Sequence, residues 1–261
     1  MRSLVRASLS ALILSLRLRF VDAFAILAWT FFPMVFAALG LFVLNRPGVT
    51  ETQLAYGVLG GGLVGYWGVT YIDAGNGIQN ERWNGTLEQI FALPTPLWAI
   101  VLGKACGGLL WGMLSFLPTL AIAFLGFHAF LPNVDAPRLA VSFGVLTLGF
   151  FAIAFLLTPL FALWRWAFSM LNGFELGTYV LCGFMFPVTL LPSWAQVVAA
   201  LLPPAWATRA IYASTTSEGP HDFTLWWALS LLLTLAYLVG AHFLYALVQR
   251  RGRVSGELAL A

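Results

Sequence analysis

Charge is what this sequence has least of. Asp, Glu, Lys and Arg make up 9% of 261 residues, against 61% apolar residues, whereas a soluble domain carries about 25% charge. That scarcity excludes a soluble globular domain and makes lipid the solvent for most of the chain. Cysteine is nearly absent. Cys106 and Cys182 both lie inside apolar stretches, without metal-ligand spacing, and read as reduced packing residues. His128, His221 and His242 are scattered along the chain, so no metal site is expected. A phosphate loop of the form GxxxxGK[ST] is missing, because Gly103-Lys104 lacks both the glycine loop and the hydroxyl. No Ser/His or Ser/Lys pair or other cluster of catalytic residues stands out, so no catalytic residue is assigned and an enzyme is not expected. The net charge of +3 is small, and the basic residues gather at the ends of apolar segments, which speaks against nucleic acid as a partner.

What the chain does have is a succession of long apolar segments. The fold they predict is an all-α integral membrane protein with six transmembrane helices. Residues 1–19 precede the spans: the apolar core Leu9–Leu16, flanked by Arg2, Arg6, Arg17 and Arg19, is too short for about 30 Å of hydrocarbon and predicts an amphipathic interfacial helix. The early arginines and the lack of a small-residue cleavage site also argue against a cleavable signal peptide. The expected spans are Phe20–Leu44, with a kink at Pro33, then Leu54–Ile72, Trp98–Phe127, Leu139–Trp164, broken near its end by Pro159, Gly173–Leu191 and Phe223–Val248. Gly57, Gly61 and Gly65 recur at i+4 on the second span, a spacing that lets helix backbones touch in lipid, either inside one subunit or between subunits. Before the last span, Pro192–Tyr212 is apolar but cut by Pro203-Pro204. It predicts two short helices dipping into the outer leaflet, an external re-entrant segment of about residues 192–217.

Basic residues orient the bundle. With the N-terminus inside, ten of the 13 Lys and Arg residues fall on the cytoplasmic side, and only Arg46, Arg138 and Arg209 fall outside. A multi-pass chain in the cell (inner) membrane, with both termini cytoplasmic and a cytoplasmic tail at 249–261, is therefore expected. Asp73 and Glu175 stand at the inner ends of the second and fifth spans, where acids are either functional or structural, hydrated or paired with a nearby Arg.

The polar-rich interruption Asn80–Pro96, NERWNGTLEQIFALPTP, lies between the second and third spans. Thr86 suits a helix cap, Glu88 suits the positive end of the helix dipole, and Leu87, Ile90 and Phe91 recur at helical spacing until Pro94 and Pro96. On periodicity alone, this is either a short docking helix or a polar loop with one helical turn.

Glu81-Arg82, Gly85-Thr86-Leu87-Glu88, Leu93-Pro94-Thr95-Pro96 and Gly103-Lys104, in that order, resemble the cytoplasmic loop of type-2 ABC exporter permeases. The Pro-rich segment before the last span is similar to the same family. The resemblance implies a permease subunit exporting an amphipathic, lipidic or glycan-type substrate. Its partners would be separate ABC ATPase subunits, a second permease subunit (the same or a related chain) and membrane lipid. No cofactor would be bound by this chain; ATP and Mg would sit on the ATPase. Glu81, Arg82, Gly85, Thr86, Leu87, Glu88, Ile90 and Phe91 would form the ATPase-coupling helix. In that family the first, second and fifth spans border the passage, so Trp29, Phe32, Tyr66, Trp67, Tyr71 and Tyr179 become candidate pathway residues, alongside their ordinary reading as belt or packing aromatics. The rival reading is an ATP-independent transporter or channel. Against it stands the lack of duplicated halves.

Overall fold

Residues 2–21, 23–44, 48–83, 85, 89, 96–163, 171–216 and 222–254 are described by the structure, a computed structural model. Among them the chain is all helix, without a strand. The helices in order are α1 (Arg2–Val21), α2 (Ala23–Leu44), α3 (Glu51–Trp83), α4 (Leu97–Leu114), α5 (Phe116–Ala121), α6 (Ala136–Leu163), α7 (Leu171–Leu181), α8 (Ser193–Ala200), α9 (Pro203–Ala213) and α10 (Phe223–Val254). A π-helical turn, Ile122–Gly126, continues α5, and a 3-10 turn, Val188–Leu190, lies between α7 and α8.

Three stretches are long and apolar enough to cross a membrane: Leu97–Gly126, Ala136–Phe161 and Phe223–Arg250. They correspond to the third, fourth and sixth predicted spans. Only 22% of the last one's apolar window is buried inside the chain, so most of that helix offers its side chains to lipid. The other predicted spans do not meet the same test among the described residues. In α2 the qualifying apolar stretch is Thr30–Leu44. The 33 residues of α3 extend about 50 Å at 1.5 Å per residue, but glycine and tyrosine dilute its apolarity. The 11 residues of α7 reach about 16 Å, short of the roughly 30 Å hydrocarbon core. The predicted fifth span, Gly173–Leu191, is therefore a short helix followed by irregular chain. Gly183, with φ +67°, takes a left-handed turn just past the helix end, and Pro187 is extended and leads into the 3-10 turn Val188–Leu190.

Proline acts differently in each helix. At Pro118 the third span breaks into α4 and α5, because the ring removes the N–H that would bond back to Leu114. At Pro33 and Pro159 the helices continue through the ring, so the break predicted at Pro159 does not occur. At Pro203-Pro204 the two rings occupy the first turn of α9, where N–H groups have no helical partner to lose. The two short helices predicted after Pro192 are thus α8 and α9.

The centre of the molecule is α3, which packs on α2, α4, α5, α6, α7 and α9. Every residue from Gly57 to Tyr71 is buried. Its glycines explain how so many helices crowd round it. A Cβ on Gly61 would stand 2.6 Å from the Ala37 nitrogen and 2.7 Å from the Pro33 carbonyl oxygen of α2. Gly57 faces Leu41, and Gly65 faces the Pro33 ring and the Ser115 hydroxyl. The i+4 glycine row therefore packs inside the subunit, against α2. Gly60 points elsewhere, at the Phe184 carbonyl, and Gly62 lies against the Phe116 ring.

Gly61→Ala should accordingly force the α2 and α3 backbones apart and cost about 1–3 kcal/mol. A Cβ on Gly144 of α6 would meet nothing within 4 Å, so Gly144→Ala should be neutral or gain about 0.5–1 kcal/mol in helix propensity. Thermal unfolding of the two variants in detergent checks this. Equal melting temperatures would mean that the close approach at Gly61 carries no energy.

Candidate functional site

Two groups of side chains hold the functional interest: ion pairs at one end of the bundle, and an aromatic cluster on α3 with the Tyr179–Glu175 pair of α7.

The end of α3 that leads into the Asn80–Pro96 stretch is held by charge. Lys104 of α4 pairs with Glu81 of α3 at 2.5 Å, and Arg19 of α1 pairs with Asp73 of α3. None of these four side chains is more than 24% exposed. Burial pushes the Arg19 guanidinium down to about 10, which leaves it charged at neutral pH. Small residues put α1 in place. Gly103 of α4 faces the Ser8 carbonyl and the Ala11 methyl, Gly107 faces the Ser15 hydroxyl, and the Ser8 hydroxyl donates to the Ala99 carbonyl at 2.7 Å. One face of α1 is thus docked on α4. Its other face, with Leu9, Ile13, Leu14, Leu18, Arg6 and Arg17, is exposed, as suits a helix lying in a membrane interface. The second pair of α4 glycines looks the opposite way: Gly108 faces the Asp73 carboxylate and Gly112 the Tyr66 ring. By presenting glycine on two faces, α4 brings α1 and α3 close enough for Arg19 to reach Asp73. Phe20 completes the contact, edge-on to Trp111 with ring centroids 5.0 Å apart.

Further into the bundle, Tyr66, Trp67 and Tyr71 of α3 are completely buried. Tyr66 donates to the Thr147 hydroxyl at 2.9 Å. The Trp67 indole N–H and the Tyr71 hydroxyl have no hydrogen-bond partner among the described residues. Their rings stand 5.2 Å apart, with Phe150 5.1 Å from Trp67 and Phe161 6.2 Å from Tyr71. On α7, Tyr179 donates to the Glu175 carboxylate one turn away.

The predicted residues thus fall into separate places. Glu81 is in an ion pair. Arg82 lies in the last turn of α3, and Gly85, with φ +68°, turns the chain in the left-handed conformation that ends helices. Thr86, Leu87, Glu88, Ile90 and Phe91 lie outside the described residues, as does the side chain of Trp29. Among the pathway candidates, Phe32 is 60% exposed on α2, whereas Tyr66, Trp67, Tyr71 and Tyr179 are core residues. A cavity of about 120 Å³ lies between α2, α3 and α4, lined by Ile26, Thr30, Val69, Trp111, Leu114 and Ser115; it contains none of them. Of the alternatives open for Asp73, the structure shows pairing with a nearby Arg, Arg19. The Lys104–Glu81 pair and the docking of α1 on α4 were not anticipated, although Ser8, Ala11 and Ser15 opposite Gly103 and Gly107 were a usable signal. Neither family models nor curated proteins yield a match to the chain.

Removing one partner of the Arg19–Asp73 pair should be worse than removing both. Arg19→Leu leaves a largely buried carboxylate without its cation, for an expected loss of about 1–3 kcal/mol given its residual contact with solvent. Adding Asp73→Leu should recover most of it. Thermal melts of the two single variants and the double variant read the difference. A double variant less stable than either single one would show that the residues act independently.

Proposed function

We propose that this chain is the membrane-spanning permease subunit of an ATP-driven ABC exporter of the type-2 group. Two such subunits, identical or related, would pair with two separate ATPase subunits and move an amphipathic, lipidic or glycan-type substrate out of the cytoplasm. In this proposal the chain crosses the cell membrane six times with both termini in the cytoplasm. Residues of about 80–96 form the coupling helix, and α8 and α9 form the re-entrant pair in the outer leaflet.

The observation that carries the reading is the continuity of α3. It runs as a single helix from Glu51 to Trp83, buried through the core, and delivers its last turn directly to the Gly-Thr-Leu-Glu stretch. Lys104 and Arg19 brace that end from α4 and α1. A push on residues 85–96 therefore meets a braced rod with its far part in the middle of the bundle. Closure of an ATPase pair would reach α2, α6 and α7 along that rod, since all of them pack on it. Three helices long and apolar enough to cross a membrane and the charge asymmetry of the sequence support the membrane setting.

Leu87→Ala with Phe91→Ala removes the apolar face of the proposed coupling helix and leaves the described bundle untouched. The expected outcome is a permease of normal abundance that no longer co-purifies with its ATPase, or binds it without transport. Full association together with full transport would refute the coupling role, and loss of insertion would make the stretch structural. The proposed orientation has its own check. In a chain with Cys106 and Cys182 replaced, single cysteines at Asn84 and Ser217 should be labelled from opposite sides of the membrane. An impermeant reagent that reaches both in intact cells rules out the six-span topology.

A further inference from the structure

Two helices that share a neighbour leave a wedge between them. Among the described residues, α2 packs on α3, on α5 and on the π-turn, whereas it makes little contact with α4. The two sides close over Gly65 of α3, which faces both the Pro33 ring of α2 and the Ser115 hydroxyl at the junction of α4 and α5. One turn further along α3 the floor is Val69 instead of glycine, and there the walls stand apart. Ile26 and Thr30 of α2 line one side and Trp111 and Leu114 of α4 the other, around the cavity of about 120 Å³. Its end away from Gly65 is bounded by charge. Trp111 carries Phe20 edge-on at 5.0 Å and the Arg19 guanidinium at 6.0 Å from its ring centroid, and Arg19 pairs with Asp73, one turn beyond Val69 on α3.

Size and lining decide what can fill this space. An apolar cavity of about 150 Å³ stays dry and takes benzene, so a short run of methylenes fits here. Water is a poor occupant, because it needs two to four polar partners and the Ser115 hydroxyl already donates to the Gly112 carbonyl at 2.6 Å. The cavity opens sideways. Thr30 and Leu114 at its mouth are exposed, and so are Leu27 and Phe31 on the α2 side and Leu110 and Leu117 on the other. Large apolar side chains exposed on both lips of a cleft, on helices of this composition, face hydrocarbon. The cleft is also polar at one end and apolar at the other, from the Arg19–Asp73 layer to the Pro33 ring. That gradient matches an amphiphile lying along the bundle, with its head at the charged layer and its chain beyond.

We propose that the cleft between α2 and α4 is a binding site for one acyl chain of a membrane phospholipid. The part of the chain next to the headgroup lies on Val69, between Ile26 and Trp111, and the headgroup stays at the level of the Arg19–Asp73 pair. The chain completes the packing of α2, which α4 leaves open below Gly65. The site rests on the membrane setting of the chain and not on the exporter reading, since it lies apart from residues 80–96.

The probe is phosphatidylcholine with a photoreactive diazirine in the headgroup-proximal part of one acyl chain, mixed into nanodiscs that hold the purified full chain. Irradiation and peptide mass spectrometry then locate the adducts. Val69 is 1% exposed, so lipid that only bathes the surface does not reach it. Adducts are expected at Val69, and at Leu232 of α10, which is 64% exposed and reports surface lipid. Val64 of α3, as buried as Val69 but away from the cleft, should carry none. Thr30→Trp plugs the mouth from an exposed position and should lower the yield at Val69 at least fivefold relative to Leu232, with the melting temperature showing that the fold is kept. Adducts at Leu232 but not at Val69, equal yields at Val64 and Val69, or a yield at Val69 that Thr30→Trp leaves unchanged would each overturn the site. Val69 marked by a photoreactive fatty acid but not by the phospholipid would assign the cleft to a single-chain amphiphile and overturn it as well. Adducts at neither Val69 nor Leu232 would overturn the membrane setting and the site with it.

Discussion

The structure depends on how closely helix backbones approach α3. In lipid there is no hydrophobic gain in bringing one apolar helix against another, so association rests on contact area and on polar bonds. Glycine supplies the first by letting backbones touch. Gly57, Gly61 and Gly65 admit α2, Gly60 admits the turn at Phe184, and Gly62 admits the Phe116 ring. The same residues cost α3 its apolarity, and this is why it fails a hydropathy criterion that α6 and α10 meet. A helix surrounded by protein has no need to be soluble in lipid. The low apolarity of α3 is thus a consequence of its central position.

Close approach also sets the electrostatics. Arg19 and Asp73 meet because Gly103 and Gly107 lower α1 onto α4, while Gly108 and Gly112 lower α4 onto α3. With a larger residue at any of these positions the two charges would be separated, and each would have to find water or lose its charge. The pairs at Arg19–Asp73 and Lys104–Glu81 both engage the last third of α3. The part of the helix nearest the predicted coupling stretch is therefore its most polar and most tied part, and the part beyond it is its most apolar and most glycine-rich. That division gives α3 one polar, tied end and a tightly packed remainder.

Much of this was legible in the sequence, for identifiable reasons. Helical composition, the three strongest spans and the two helices around Pro203-Pro204 follow from apolar length and from where proline is tolerated. The glycine row at i+4 marked a close contact but not its partner, since spacing on one helix says nothing about what lies opposite. The helix of the fifth predicted span ends earlier than its apolar run suggests, because Gly183 and Pro187 sit in a run apolar enough to hide a turn. The converse error occurred at Pro159, where a proline did not end the helix, because neighbouring helices stabilise a backbone that sequence alone would break. At the candidate site, aromatic identity suggested lining residues, whereas burial shows most of them to be core. Which aromatic hydroxyls lack partners is a three-dimensional fact with no trace in the sequence.

The two acids Asp73 and Glu175 show how position decides role. Asp73 belongs to α3 and is matched by an arginine of the same chain, so its charge is consumed in holding α1 and α4 in place. Glu175 belongs to α7, which packs on α3 and α8 alone among the strongly contacting elements and exposes Phe174, Leu176 and Val180. A helix with so little packing has few contacts to lose when it shifts, whereas α3 cannot move without disturbing most of the bundle. Glu175, in no ion pair among the described residues, thus sits on a helix with little packing. Asp73 is the opposite case, because its pair with Arg19 ties α1 to α3 across α4.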